Sequence, residues 1–104
     1  MIIKFTSAYL EDLYEGKPLK GKPRFPPQII EGFKRKVLIM KNASHSIDLY
    51  KFRSLNFEAL KGDREGTYSV RINKQYRIEF RISEEQITEL EIVTIEDLSK
   101  HYEN

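Results

Sequence analysis

The hydrophobic period of this chain changes once, near Asn56, and that change limits the folds open to it. Before it, Ile29/Ile30, Phe33, Val37 and Met40 recur at helical spacing, so one face of a helix is core. After it, the period is two. Phe57 and Ala59, Tyr68, Val70 and Ile72, Tyr76, Ile78, Phe80 and Ile82, then Leu90 and Ile92 alternate with polar residues. Such alternation makes half-buried antiparallel strands. Helices first and sheet after is an α+β order. The simplest way to bury both packs two N-terminal helices on one face of a small antiparallel meander. The other sheet face is left open.

Local signals refine the order. Ile2-Ile3-Lys4-Phe5 reads as a short strand. Thr6 or Ser7 caps a helix through Tyr9, Leu10, Leu13 and Tyr14, and Gly16 stops it. Lys17 to Arg24 is a basic loop, and Pro26-Pro27 opens the second helix. Lys34, Arg35, Lys36 and Lys41 lie off its buried stripe, as a solvated face would. Asn42 to Ser46 is a break, and Ile47 to Phe52 a short helical or irregular linker. Thr94, with Asp97 three residues on, predicts a short C-terminal helix whose inner face is Ile95, Leu98 and Tyr102.

With 104 residues the chain is expected to be one domain spanning 1–104. There is no cysteine, which rules out disulfides and thiolate zinc sites. The two histidines, His45 and His101, form no HxxxH or HExxH spacing, so no metal and no cofactor is expected. No run approaches the roughly 18 apolar residues of a membrane span. The first residues lack the apolar stretch of a signal peptide, so a cytoplasmic location is expected. The net charge of +2 is too small to name a partner until the charges are placed.

Parity places some of them. Tyr68, Val70 and Ile72 must share the core face with Tyr76, Ile78 and Phe80. Their loop then holds an odd number of residues, and Asn73-Lys74-Gln75 is the shortest common choice. That register puts Val70 against Ile78 and Arg71 directly opposite Arg77, with Arg81 further along the open face. Facing like charges destabilise a sheet. Glu79, Glu89 and Glu91 could dilute them: a three-residue turn at Ser83-Glu84-Glu85 sets Glu91 across from Arg77, and a five-residue turn sets Glu89 across from Arg81. From geometry alone the open face is either a salt-bridge ladder or an anion site. Lys61-Gly62-Asp63-Arg64-Glu65-Gly66 joins the first two strands of the meander. It is no P-loop, since no GK[ST] leads a strand into a helix. Read alone, it is a charged turn.

The run Ala59-Leu60-Lys61-Gly62-Asp63-Arg64-Glu65-Gly66, followed by Tyr68-Ser69-Val70-Arg71-Ile72 and Tyr76-Arg77-Ile78-Glu79-Phe80, resembles the HigB-type toxins. These are the plasmid-maintenance killer-protein branch of the RelE/ParE toxin superfamily. The resemblance spans about Leu55 to Ile95; the helical half matches only in length and order.

The resemblance implies a RelE/ParE-like fold and a toxin of a type II toxin–antitoxin pair. Such a toxin cuts mRNA on the translating ribosome without a metal and is held inactive by a helix-turn-helix antitoxin. It also leaves two alternatives: a non-catalytic, ParE-like inhibitor of gyrase, or a degenerate toxin fold that retains only antitoxin binding. Carried over by position, Lys61 and Arg77 are the expected phosphate or transition-state stabilisers, and Arg64, Arg71 and Arg81 hold RNA. Arginine suits this task because its fork matches phosphate and stays charged. Relatives end the last strand in an Asp-Tyr-His-like cluster. Here the end reads Glu96-Asp97-Leu98-Ser99-Lys100-His101-Tyr102. If Asp97 takes the aspartate position, Leu98 and Ser99 replace the tyrosine and histidine. Alternatively, a folded-back helical turn brings His101 to the site, with Asp97 one turn before it to orient the ring; Tyr102 is a further acid/base candidate. The bland reading is a packed Tyr102 and a solvated His101, and His45 reads as a solvated loop histidine.

Overall fold

A computed structural model describes residues 1–100. The order is β1 (Ile2–Phe5), α1 (Ala8–Glu15), α2 (Pro27–Asn42), β2 (Glu58–Ala59), β3 (Tyr68–Arg71), β4 (Tyr76–Glu84) and β5 (Glu91–Lys100). Three 3-10 turns, Ser46–Lys51, Arg53–Leu55 and Gly62–Arg64, fill the connections. Five strands form one sheet in the order β1-β5-β4-β3-β2.

The helices form where their signals stand. Ser7 Oγ accepts from the Leu10 N–H at 3.3 Å, and Gly16 ends α1 in the left-handed region at φ 74°. Pro27 is the first residue of α2, where its missing N–H costs nothing. Leu10 and Leu13 of α1 and Ile29, Phe33, Val37 and Met40 of α2 are buried against Val70, Ile78, Phe80, Val93, Ile95 and Leu98 of the sheet. Gly32 sits where α2 comes nearest the sheet. A Cβ there would lie 2.5 Å from Ile72 Cγ2, so only glycine permits this approach.

The β3–β4 hairpin follows the parity argument. Val70 pairs with Ile78 and Arg71 with Arg77. Asn73 Oδ1 accepts from the N–H groups of Gln75 and Tyr76, both at 2.8 Å, and closes the Asn73-Lys74-Gln75 loop.

Four expectations need correction. The sheet is mixed rather than purely antiparallel, because β1 joins its edge parallel to β5, with Ile3 beside Val93 and Phe5 beside Ile95. The two helices carry the chain from β1 across to β2 at the opposite edge, and the strands then return to place β5 beside β1. The short C-terminal helix is absent from the described residues: Thr94 to Lys100 continue β5, and Thr94 pairs with Arg81 instead of capping a helix. A bulge explains the misreading. Ile95 faces Phe80 while Asp97 faces Glu79, which leaves Glu96 as the extra residue. The buried residues therefore run Val93, Ile95, Leu98, and the last step imitates helical spacing.

The third correction concerns Leu90 and Ile92. Leu90 is exposed in the turn, and β5 turns Val93 and Ile95 to the core instead. The fourth concerns the acids of the β4–β5 connection. It runs from residue 85 to 90, longer than either turn expected, so Glu91 pairs with Glu84 rather than Arg77, and Glu89 lies in the turn rather than opposite Arg81. Ser99 and Thr94 take those two places.

Candidate RNA-facing site

The sheet face away from the helices carries Arg71 on β3, Arg77, Glu79 and Arg81 on β4, and Asp97 and Ser99 on β5. Register fixes this set: Arg71 faces Arg77, Arg77 faces Ser99, and Glu79 faces both Ser69 and Asp97. At its centre Glu79 is buried to 4% exposure. Oε2 accepts from Ser99 Oγ at 2.6 Å and from Arg77 Nε at 3.2 Å. Oε1 meets Arg64 Nη2 as an ion pair but accepts no aligned hydrogen bond among the described residues. One carboxylate thus gathers two arginines and a serine. A buried charge needs such partners, since desolvation alone would expel it. The hydroxyls of Thr67 and Ser69 are also buried here, with no hydrogen-bond partner among the described residues.

Arg64 comes from the turn Gly62–Arg64, which folds over one end of this face. Gly62 and Gly66 make that path possible, with φ of 69° and 89°. Gly66 also leaves room for Arg81: a Cβ there would come within 3.2 Å of its Nη1. Arg81 in turn gives Nε to Glu96 Oε2 at 3.1 Å. Thr6, Asp63, Arg64, Arg81, Glu96 and Asp97 line a depression of about 410 Å³ at this end. It mixes cations that can hold phosphate with carboxylates that can accept protons or hydrogen bonds from a base.

The expected residues therefore divide. Arg64 and Arg77 meet through Glu79, and Arg71 lies across from Arg77. Arg81 and Asp97 border the adjoining depression. Lys61 is exposed at the start of the turn and forms no ion pair among the described residues. The idea that Asp97 precedes His101 by a helical turn fails, because Asp97 to Lys100 are strand. His101 and Tyr102 lie outside the described residues. His45 is exposed, 3.8 Å from Glu91. Two residues at the centre escaped the sequence reading. Glu79 was visible only as a diluting charge, although Arg77-x-Glu79-x-Arg81 puts all three on one strand face. Ser99 stood only as the replacement for the relatives' histidine, and the bulge hid its place beside Glu79.

The comparisons agree with this fold. The HigB-like toxin family, described as the RelE-like toxin of the type II toxin-antitoxin system HigB, matches residues 3–93. Toxin HigB-1 of Vibrio cholerae serotype O1 is 35% identical over 81 residues, covering 78% of this chain and 83% of that protein. Among solved structures, the YoeB/ParE toxin from Agrobacterium tumefaciens superposes with a TM-score of 0.60 at 22% identity, over 98% of this chain and all of that one (100%). The YoeB-YefM complex from Staphylococcus aureus gives 0.55 at 18% identity, over 98% of both chains. At these identities the structures speak for the fold alone. The family match and the Vibrio relative carry the assignment: this chain belongs to the HigB-like toxins, the RelE-like toxins of type II toxin–antitoxin systems.

Proposed function

We propose that the chain inhibits translation by cutting mRNA on the ribosome, with the cationic sheet face as its RNA site. The observation that carries this reading is the Arg64–Glu79–Arg77 cluster beside Arg71, Arg81 and Ser99. Nothing in folding alone requires three arginines on one face of so small a sheet. A phosphate does, because charge develops on its oxygens during transfer.

The reaction is attack of an RNA 2′-hydroxyl on the adjacent phosphorus. The 2′-oxygen–phosphorus bond forms and the bond from phosphorus to the 5′-oxygen breaks. One proton leaves the nucleophile and another goes to the leaving oxygen. In this reading Arg77 and Lys61 stabilise the phosphate oxygens, and Arg64, Arg71 and Arg81 hold the flanking backbone. Asp97, His101 and Tyr102 are the assigned acid/base groups. No metal or cofactor enters these steps. The partner is a protein antitoxin of the helix-turn-helix kind, and a relative of the same fold studied as a YoeB-YefM complex supports a proteinaceous partner. A cationic sheet face would suit an acidic antitoxin segment, so affinity should fall as salt rises.

The test is induced expression of wild type and of Lys61→Ala/Arg77→Ala, with transcript 5′ ends mapped. New cuts within translated messages, absent in the variant, are the expected result. Intact transcripts under wild-type expression would overturn the ribonuclease reading.

A further inference from the structure

A second surface lies on the other side of the sheet. Tyr50, Phe52, Arg53, Asn56 and Phe57 line a groove of about 280 Å³. Tyr50 is 61% and Phe52 44% exposed. Looseness does not explain this exposure. On either side of them in the chain, Leu49 and Leu55 are fully buried. Both the N–H and the Oγ of Ser46 donate to the Glu91 carboxylate, at 2.7 and 2.6 Å. The segment that bears the rings is therefore anchored at both ends.

The Tyr50 ring is itself braced. Phe57 lies nearly parallel to Phe80, with ring planes 9° apart and centroids 6.0 Å apart. Tyr50 rests on Phe57 at 4.7 Å with a 58° tilt. A stack that begins in the core thus ends on an exposed ring. Rigid aromatic groups bind with little loss of conformational freedom. No carboxylate lines the groove, and Arg53 forms no ion pair among the described residues. Lys36 of α2 reaches Ser54 in the same connection, at 3.5 Å. Burial and the charge of Arg35 push its ammonium pKa below the usual lysine value. With Arg53 in its lining and no carboxylate there, the groove favours an anionic occupant.

We infer that this groove takes an unpaired RNA nucleotide, its base stacked on Tyr50 and Phe52 and its phosphate beside Arg53. Aromatic faces, an arginine and an amide at Asn56 are the groups that bind single-stranded nucleotides. This adds a second RNA contact to the function proposed above. It does not depend on cleavage, so either idea can fail without the other.

The experiment measures binding of a labelled single-stranded hexaribonucleotide and of a duplex RNA by fluorescence anisotropy. The proteins are wild type, Tyr50→Leu/Phe52→Leu, Tyr50→Phe, and the sheet-face variant Arg77→Ala/Arg81→Ala. Leucine keeps apolar area but has no π face. The double leucine variant should lose about tenfold or more in single-strand affinity, while Tyr50→Phe stays within about twofold. The sheet-face variant should still show a further loss when Tyr50 and Phe52 are replaced in it. Circular dichroism melts check that the variants remain folded. Unchanged RNA affinity in the double leucine variant, in either background, overturns the proposal. So does loss confined to antitoxin binding, which would mark the groove as a protein contact.

Discussion

Arg77 donates its Nε–H to Glu79, two residues along the same strand, and its two Nη groups have no partner among the described residues. The carboxylate thus holds the root of the guanidinium and leaves the fork free. That is a useful posture for gripping phosphate, because the fork's bidentate geometry is set before the ligand arrives. Replacing Arg77 by Ala should lower cleavage about 10²–10³-fold, the usual effect of removing one such donor. Arg77→Lys should restore only part of it, since an ammonium is a point charge. Primer-extension quantitation of cut message in a reconstituted translation reaction reads the difference.

Glu79 should matter for stability as well as for aim. Glu79→Gln keeps the shape but removes the charge between Arg64 and Arg77. Both arginines are partly exposed, so solvent moderates the effect. A loss of about 1–3 kcal/mol is expected. For a chain of this size that lowers the melting midpoint by about 4–8 °C per kcal/mol. A midpoint equal to wild type would show the carboxylate to be structurally idle.

Gly32→Ala brings two effects into conflict. Alanine improves helix propensity by about 1 kcal/mol. Its Cβ also collides with Ile72 at the point where α2 meets the sheet. Overpacking of this kind costs about 1–3 kcal/mol. Net destabilisation is expected, and it should shrink when Gly32→Ala is made in an Ile72→Ala background, which lacks the colliding Cγ2. Urea unfolding of the two variants provides the comparison.

The β4–β5 turn should weaken in acid. The Thr88 hydroxyl and backbone N–H both donate to Glu85 at 2.6 Å and hold its carboxyl below the ordinary glutamate value. A depressed folded-state pKa gives stability that is present above the unfolded value, about 4.3, and is lost as pH falls through the folded one. The melting difference between wild type and Glu85→Gln should therefore be present at pH 7 and shrink progressively as pH falls below about 4.3 and through the folded-state value. A difference that does not shrink on acidification would assign it to something other than ionisation.

Much of this architecture could be read from residue patterns. The Ser7 cap, the Pro27 start and the apolar stripe of α2 each rest on local chemistry. The Arg71–Arg77 pair followed from parity and one loop length. The failures have a common cause, which is that partners distant in sequence decide them. The parallel seat of β1 depends on Val93 and Ile95, some ninety residues away. The single extra residue at Glu96 turned a strand into an apparent helix and concealed that Ser99 sits beside Arg77 and Glu79. Glu79 looked like one acid among several until Arg64, brought over by a loop, closed on it.

The seat of β1 against β5 has a consequence for how the protein is made. The first strand to leave the ribosome finds its neighbour only in the last, so its edge must wait through most of synthesis. Until β5 emerges, β4 also lacks one partner, and Glu79 lacks Ser99. Long-range closure of this kind is slow and comes late. The cationic sheet face is therefore complete only once β5 has been made, and a nascent fragment that ends before Ser99 cannot carry it.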